Sequence, residues 1–282
     1  IKIPLSIWLA FGGAGLPALG AEGCAWATLI VNYAMVALAL SLMRSQRLYA
    51  PLALWQRMEP PDWPQLAQFA RLGIPAGLAI LVEVTSFTLM ALFVARQGTL
   101  ASASHQIAAN LAALCYMVPL SLAIATSARV SYWRGAGDEV TARRLVAMGW
   151  RLAAMGGLVL ACALFLSREG LARIYSGNPE VVAITASLLA WVAAYHVADA
   201  IQTFCIFVLR CYRITVAPLV IYCLLLWGGG LAGGYWLAYG TDSVLPAWLH
   251  PGTPAPFWAG SACALLVTAV VFSAVVRKAT NR

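Results

Sequence analysis

The chain has 282 residues, 62% of them hydrophobic and 10% charged, with a formal net charge of +8 and a mean hydropathy of +0.82. A soluble domain of this length cannot bury that much apolar surface, whereas lipid solvates it for a polytopic helical protein. The composition excludes a soluble enzyme, and the placement of the basic residues, taken up below, accounts for the positive charge without a nucleic-acid partner.

With ~20 residues per bilayer crossing, the sequence predicts an all-α membrane protein of seven complete helices and one partial one. The chain opens on Ile1, and the apolar run Ile3–Phe11 is too short to span. That start reads as a chain beginning inside a helix of a longer protein. The first complete helix is expected at about 22–43. The stretch Arg44–Trp63 mixes Leu52, Leu54 and Trp55 with Arg47, Arg57 and Glu59, then breaks at Pro60 and Pro61. It fits a short surface helix on one leaflet, and equally a plain linker between two bundles. The expected organisation is therefore the end of one bundle over 1–43, a linker over 44–63 and a six-helix bundle over 64–282.

The second helix, about 64–95, carries Gly73 and Pro75, which free backbone carbonyls where they bend a helix. It also carries Glu83, alone in an apolar run between Ala79 and Ser86. A carboxylate at membrane depth costs roughly 2.5–3.5 kcal/mol even on lenient scales, so such groups line ion or substrate paths. The third helix, about 101–131, places Gln106 and Asn110 on one face, with His105 near its outer end. A single histidine at a helix end reads most simply as solvated or capping.

The turn Arg134-Gly135-Ala136-Gly137-Asp138 follows, with glycines that tolerate positive φ and an aspartate that can cap the next helix. That helix is expected at about 140–167. The fifth long helix, about 179–210, holds Trp191, Tyr195, Asp199 and Gln202 at spacings that share one face. The stripe reads as an ion-coupling or substrate site, with a structural hydrogen-bond cluster as the plainer alternative. His196, three residues before Asp199, has no companion ligands in the sequence for a metal site. If Glu83 and Asp199 face one cavity, oxygen-only ligation there suits a hard cation such as Na⁺.

The last two helices are expected at about 215–239 and 255–277, with His250 in the Pro-rich loop between them. The unit opening at Pro218 faintly repeats the one opening at Pro4, as in transporters built from internal repeats. Seven cysteines are scattered without a Cys-x-x-Cys pair, which argues against disulfides or zinc. No P-loop, nucleophile elbow or His-Glu-x-x-His occurs, so no enzyme activity is expected.

Basic residues alternate in density from one side to the other. Arg44, Arg47, Arg57 and Arg71 cluster on one side, as do Arg129, Arg134, Arg143, Arg144 and Arg151, then Arg210 and Arg213, then Arg277, Lys278 and Arg282. The other side carries Arg96, Arg168 and Arg173. The positive-inside rule then places the first side, and the C-terminus, in the cytoplasm. Anionic lipid headgroups are an expected partner of such a surface.

Three stretches resemble the MATE (multidrug and toxic compound extrusion) family. The first is Leu72-Gly73-Ile74-Pro75 followed by Glu83. The second runs from His105-Gln106-Ile107-Ala108-Ala109-Asn110 through Pro119 to Gly135-Ala136-Gly137-Asp138. The third is Tyr195-His196-Val197-Ala198-Asp199-Ala200-Ile201-Gln202, ending in Leu209-Arg210-Cys211-Tyr212, where many relatives have Gly at the position of Cys211. The resemblance extends over the chain from the end of that family's helix 5 to its helix 12.

It implies two six-helix bundles around a cleft, and export of cationic, often aromatic, drugs in exchange for Na⁺ or H⁺ across the plasma membrane. It also implies that Glu83 and Asp199 serve the cation site, with Tyr195 beside them; the helix faces read above add Gln202, Trp191, Gln106 and Asn110 as expected cavity lining. The partner bundle would belong to the same polypeptide, upstream of Ile1, and no organic cofactor is implied. A lipid-linked-sugar flippase of the same superfamily would need basic residues in its cavity, and a non-transporting scaffold would be indifferent to loss of both acids.

Overall fold

The computed structural model describes residues 2–13, 17–45, 60–240 and 253–281. The proposed surface segment 44–63 lies largely outside them, as does His250. Among the described residues the regular structure is helical, and seven helices are long and apolar enough to cross a membrane. The protein is a multi-pass, all-α membrane protein. It divides into two compact units, residues 1–62 and 63–282.

The first unit pairs α1 (Lys2–Phe11) with α2 (Gly20–Ser45). Leu19 donates from its backbone to the Leu9 carbonyl at 3.2 Å. Gly23 packs so tightly on that turn that a Cβ would meet the Leu9 oxygen at 2.4 Å. Beyond Gly23 and Ala27, α2 buries little of its apolar surface within this unit.

The second unit contains α3 (Trp63–Ala95), α4 (Thr99–Gly135), α5 (Glu139–Tyr175) and α6 (Pro179–Cys211). After these come α7 (Val216–Tyr222), a π-helical segment Cys223–Ala232, α8 (Gly233–Tyr239) and α9 (Ala255–Thr280). The centre is α6, the most buried helix, on which α4, α5 and α9 all pack. Small residues set the closest approaches, the usual device where lipid leaves little hydrophobic drive between helices. A Cβ on Gly149 of α5 would meet the Phe204 ring at 2.6 Å, and one on Gly157 would meet the Ala200 side chain at 2.8 Å. Likewise a Cβ on Gly260 of α9 would meet the Gly230 carbonyl at 2.9 Å.

Two helices differ from the boundaries read in the sequence. The fourth was expected to stop near 167, yet α5 continues to Tyr175 because Leu171 and Ala172 still face inward beside Arg168, Glu169 and Arg173. The sixth was expected as one regular helix, but its middle turns are π-helical over Cys223–Ala232. Such wide turns re-aim side chains and recur at functional sites. Pro75 lies within α3, which continues through it.

The turn after α4 is held as its sequence suggests. Gly137 takes a φ of +80°, and Asp138 caps α5, accepting from the Thr141 amide at 2.9 Å and its hydroxyl at 2.6 Å. Those two bonds hold the Asp138 carboxyl below the usual range. Arg134 ties the turn to the end of α6. It pairs with Glu139 at 3.0 Å, donates to the Cys211 carbonyl and lies 4.0 Å over the Tyr212 ring.

Candidate functional site

Glu83 enters the bundle from the middle of α3, where an apolar helix of 33 residues leaves it no route to water along its own axis. Asp199 enters from the centre of α6 and is buried at 7% exposure. The two carboxyl groups border one narrow cavity of about 20 Å³, with Ser86, Phe87, Met90, Leu226, Gly230 and Ser261 among its walls. A void needs roughly 10–15 Å³ to admit one water-sized probe. At this size there is room for one water-sized guest and none for an organic molecule.

Each wall follows from local structure. Gly230 and Gly260 let α9 approach the π-helical segment closely, which brings Ser261 to the cavity. The π turns present Leu226 and Gly230 on the same side. Trp227, in the same segment, donates from its indole to the Val82 carbonyl at 3.2 Å, fastening these turns to α3 beside Glu83.

A buried relay supports Asp199. The Gln202 amide donates to Asp199 Oδ1 at 3.0 Å and approaches the Thr203 hydroxyl at 3.3 Å. The amide oxygen of Gln202 accepts from the Tyr222 hydroxyl. Tyr222 in turn packs on Phe272, ring centroids 5.3 Å apart. The orientation of the Gln202 amide is thereby fixed: its donor end faces the carboxylate and its acceptor end faces the phenol. Arg210, near the end of α6, lies within electrostatic reach of Glu83.

Of the residues singled out in the sequence, Glu83, Asp199 and Gln202 come together. Tyr195 is buried one turn before Asp199, but its ring stacks on Trp258 at 6.0 Å, and the donor to Asp199 is Gln202 instead. Trp191 borders a separate groove with Arg168, Arg173 and Ser176. Its eight-residue offset from Asp199 is about 12 Å along a helix axis, too far for one ion-sized cavity. Gln106 and Asn110 are exposed, and Asn110 accepts from Tyr175 at 3.0 Å. His105, expected to be solvated, is buried against Trp258 at 5.5 Å.

Tyr222 and Ser261 were not singled out in the sequence, and Ser86 was noted only as a small neighbour of Glu83. Hydroxyls in apolar helices ordinarily satisfy themselves on a backbone carbonyl one turn back, so they carry no signal of their own. Among the described residues no cluster of three or more His, Cys, Asp or Glu occurs. Two carboxylates with hydroxyl oxygens nearby are an oxygen-only donor set, the chemistry of hard cations rather than of soft transition metals.

A family profile described as MatE matches residues 75–236, more than half of the chain. A probable multidrug resistance protein NorM of Aromatoleum aromaticum is 38% identical over 280 residues, which cover 99% of this chain and 60% of that protein. The multidrug resistance protein MdtK of Yersinia pseudotuberculosis is 34% identical, covering 98% of this chain and 60% of that protein. The chain thus spans about 60% of the length of these relatives. Among solved structures, the eukaryotic MATE transporter AtDTX14 superposes with a TM-score of 0.81 at 21% identity, covering 100% of this chain and 62% of that one. The Vibrio cholerae MATE transporter VcmN in its bent form gives 0.74 at 20% identity, covering 99% and 60%. These two likenesses speak for the fold.

Proposed function

Because this chain belongs to the MatE family, we propose that it is the cation-coupling portion of a multidrug exporter, exchanging Na⁺ or H⁺ for cationic, aromatic drugs. The observation that carries this reading is the convergence of Glu83 and Asp199 on one ion-sized cavity. The relatives named as multidrug resistance proteins support the export of drugs.

The cavity separates two tasks. At about 20 Å³ it admits the coupling ion and excludes the drug, so the drug binds elsewhere. The two substrates are then linked through helix position and charge rather than by direct competition at one carboxylate. α6 is suited to transmit such a change, since it carries Asp199 and packs on α4, α5 and α9. Gln202 holds the carboxylate in one orientation, ready for a cation to replace protein donors on its remaining lone pairs. The hydroxyls of Ser86 and Ser261, which border the same cavity, are the neutral ligands this reading offers Na⁺.

Export also requires the partner bundle of the same polypeptide, and we place the assembled transporter in the plasma membrane with the C-terminus cytoplasmic, as the arginine bias indicates. The test is drug efflux from vesicles holding a protein of the relatives' full length that carries this chain. Asp199→Asn and Glu83→Gln should each abolish ion-driven efflux while folded protein stays in the membrane. Undiminished efflux in both variants would refute the reading.

A further inference from the structure

A second cavity bordered by α6 has the opposite character. α5 and α9 each pack on α6 and leave between them a groove of about 750 Å³. Val197, Ala198 and Ile201 of α6 border it, together with Leu266, Ala269 and Val270 of α9. Ala198 and Ala269 are buried, whereas Val270 is 70% exposed. The groove is thus apolar inside and open along its outer edge.

Its chemistry changes along its length. Arg143 comes from the second turn of α5 and Arg151 from its fourth, and Arg277 comes from the last turn of α9. These are the same end of the two antiparallel spans. Three exposed guanidinium groups therefore gather at one mouth of an apolar slot. Among the described residues the ion pair is Arg134 with Glu139, so none of the three arginines is neutralised by a carboxylate. Trp150 donates from its indole to the Ser273 hydroxyl at 3.2 Å, bridging α5 to α9 at the inner edge of the basic mouth, level with Arg151. Indole side chains favour that boundary between acyl chains and headgroups.

We propose that this groove is a binding site for an anionic phospholipid, one acyl chain lying along α6 and the phosphate held by Arg143, Arg151 and Arg277. Charge complementarity selects the ligand: a zwitterionic headgroup brings no net charge to three unpaired guanidiniums, and a phosphate accepts from their planar donor edges. Basic pockets between membrane helices take anionic headgroups on this physical ground. The open, apolar slot calls for a chain as well as a phosphate. The proposal is independent of the cation site, whose acids border another cavity.

The test is native mass spectrometry of the purified chain in detergent. Equal amounts of phosphatidylglycerol and phosphatidylcholine of identical acyl chains would be added. The native chain should retain phosphatidylglycerol about tenfold or more over phosphatidylcholine, on the scale expected for several basic contacts. The Arg143→Gln/Arg151→Gln/Arg277→Gln variant should lose the preference. A control of equal charge, Arg71→Gln/Arg129→Gln/Arg173→Gln, should keep it. Ala147→Trp, which fills the groove and leaves every arginine in place, should also lose the adduct, and covers the case in which the triple variant does not fold. Equal loss in the control variant would overturn the proposal, as would retention in Ala147→Trp. Displacement of the lipid by millimolar inorganic phosphate alone would reduce the mouth to an anion site without a chain slot, also overturning it. So would a concentration-dependent dimer insensitive to headgroup.

Discussion

Two cavities border neighbouring faces of α6, and they differ in every property that selects a ligand. The one at Asp199 is about 20 Å³, acidic and walled by close glycine contacts. The one at Val197 and Ile201 is about 750 Å³, apolar and basic at its mouth. The difference teaches that volume and sign are set separately. Glycines at 230 and 260 draw α9 onto the π turns and shrink the first cavity, whereas α5 and α9 stay apart and open the second. Under the two proposals one central helix would serve a small cation on one face and a large anion on another.

The sharpest way to break this contrast is to remove the charge from the small cavity. Asp199→Asn keeps the shape and the Gln202 contact but deletes the buried charge. Cation affinity should fall about 100-fold, since loss of one partner of a buried charged pair costs roughly 3 kcal/mol or more. Isotopic Na⁺ binding to the purified chain, or proton uptake on a pH jump, reads it. Phosphatidylglycerol retention should be unchanged.

Much of this site is legible in the sequence, for a physical reason. Charged groups such as Glu83 and Asp199 are conspicuous in apolar runs because their cost at membrane depth makes them rare there. Gln202 follows from its three-residue offset on the same helix. The rest is hidden because neutral hydroxyls and glycines carry no such cost. Tyr222 and Ser261 are placed by inter-helix approach, and the π turns over Cys223–Ala232 have the composition of any apolar helix. Trp191 borders a different cavity from Asp199: a shared face does not imply a shared cavity once the rise along the axis exceeds the size of the ligand. Helix ends failed where apolarity and helicity part, as at Arg168–Tyr175.

A smaller effect is expected from the relay behind the acid. Gln202→Leu leaves the buried Tyr222 hydroxyl without its acceptor and removes the donor to Asp199. Stability should drop by about 1–3 kcal/mol, and Tyr222→Phe in the same background should recover part of it. Thermal unfolding in detergent measures both. A loss that Tyr222→Phe does not relieve would deny the relay.

The contrast in volume can be tested through Gly260. Gly260→Ala pushes against the Gly230 carbonyl and forces α9 from the π turns, at a cost of about 1–3 kcal/mol if the backbone must shift. It should also weaken cation binding by displacing Ser261, while the lipid groove, on the other side of α9, keeps its selectivity. Unchanged cation binding would remove close packing as the device that sizes the small cavity.

The least effect belongs to the turn far from both cavities. The Asp138 carboxyl is held below its usual range by Thr141. A lowered value in the folded chain means stabilisation that is present above the unfolded value near 3.9. It is lost as pH falls through the lower folded value. Asp138→Ala should lower the unfolding temperature slightly at pH 7, and the gap to the native chain should close in that acidic window. Asp138→Asn should retain most of the cap without the pH dependence.

A shared ion at Glu83 and Asp199 is tested most directly by a double-mutant cycle on cation binding to the purified chain. The four proteins are the native chain, Glu83→Gln, Asp199→Asn and the double variant, each titrated with Na⁺ at fixed pH and by pH at fixed salt. If both carboxylates hold one cation, the double variant should bind little worse than the weaker single, because groups acting on one ligand are strongly non-additive. Losses that add in full, or a variant that still binds one cation per chain with native affinity, would show that the two acids act apart.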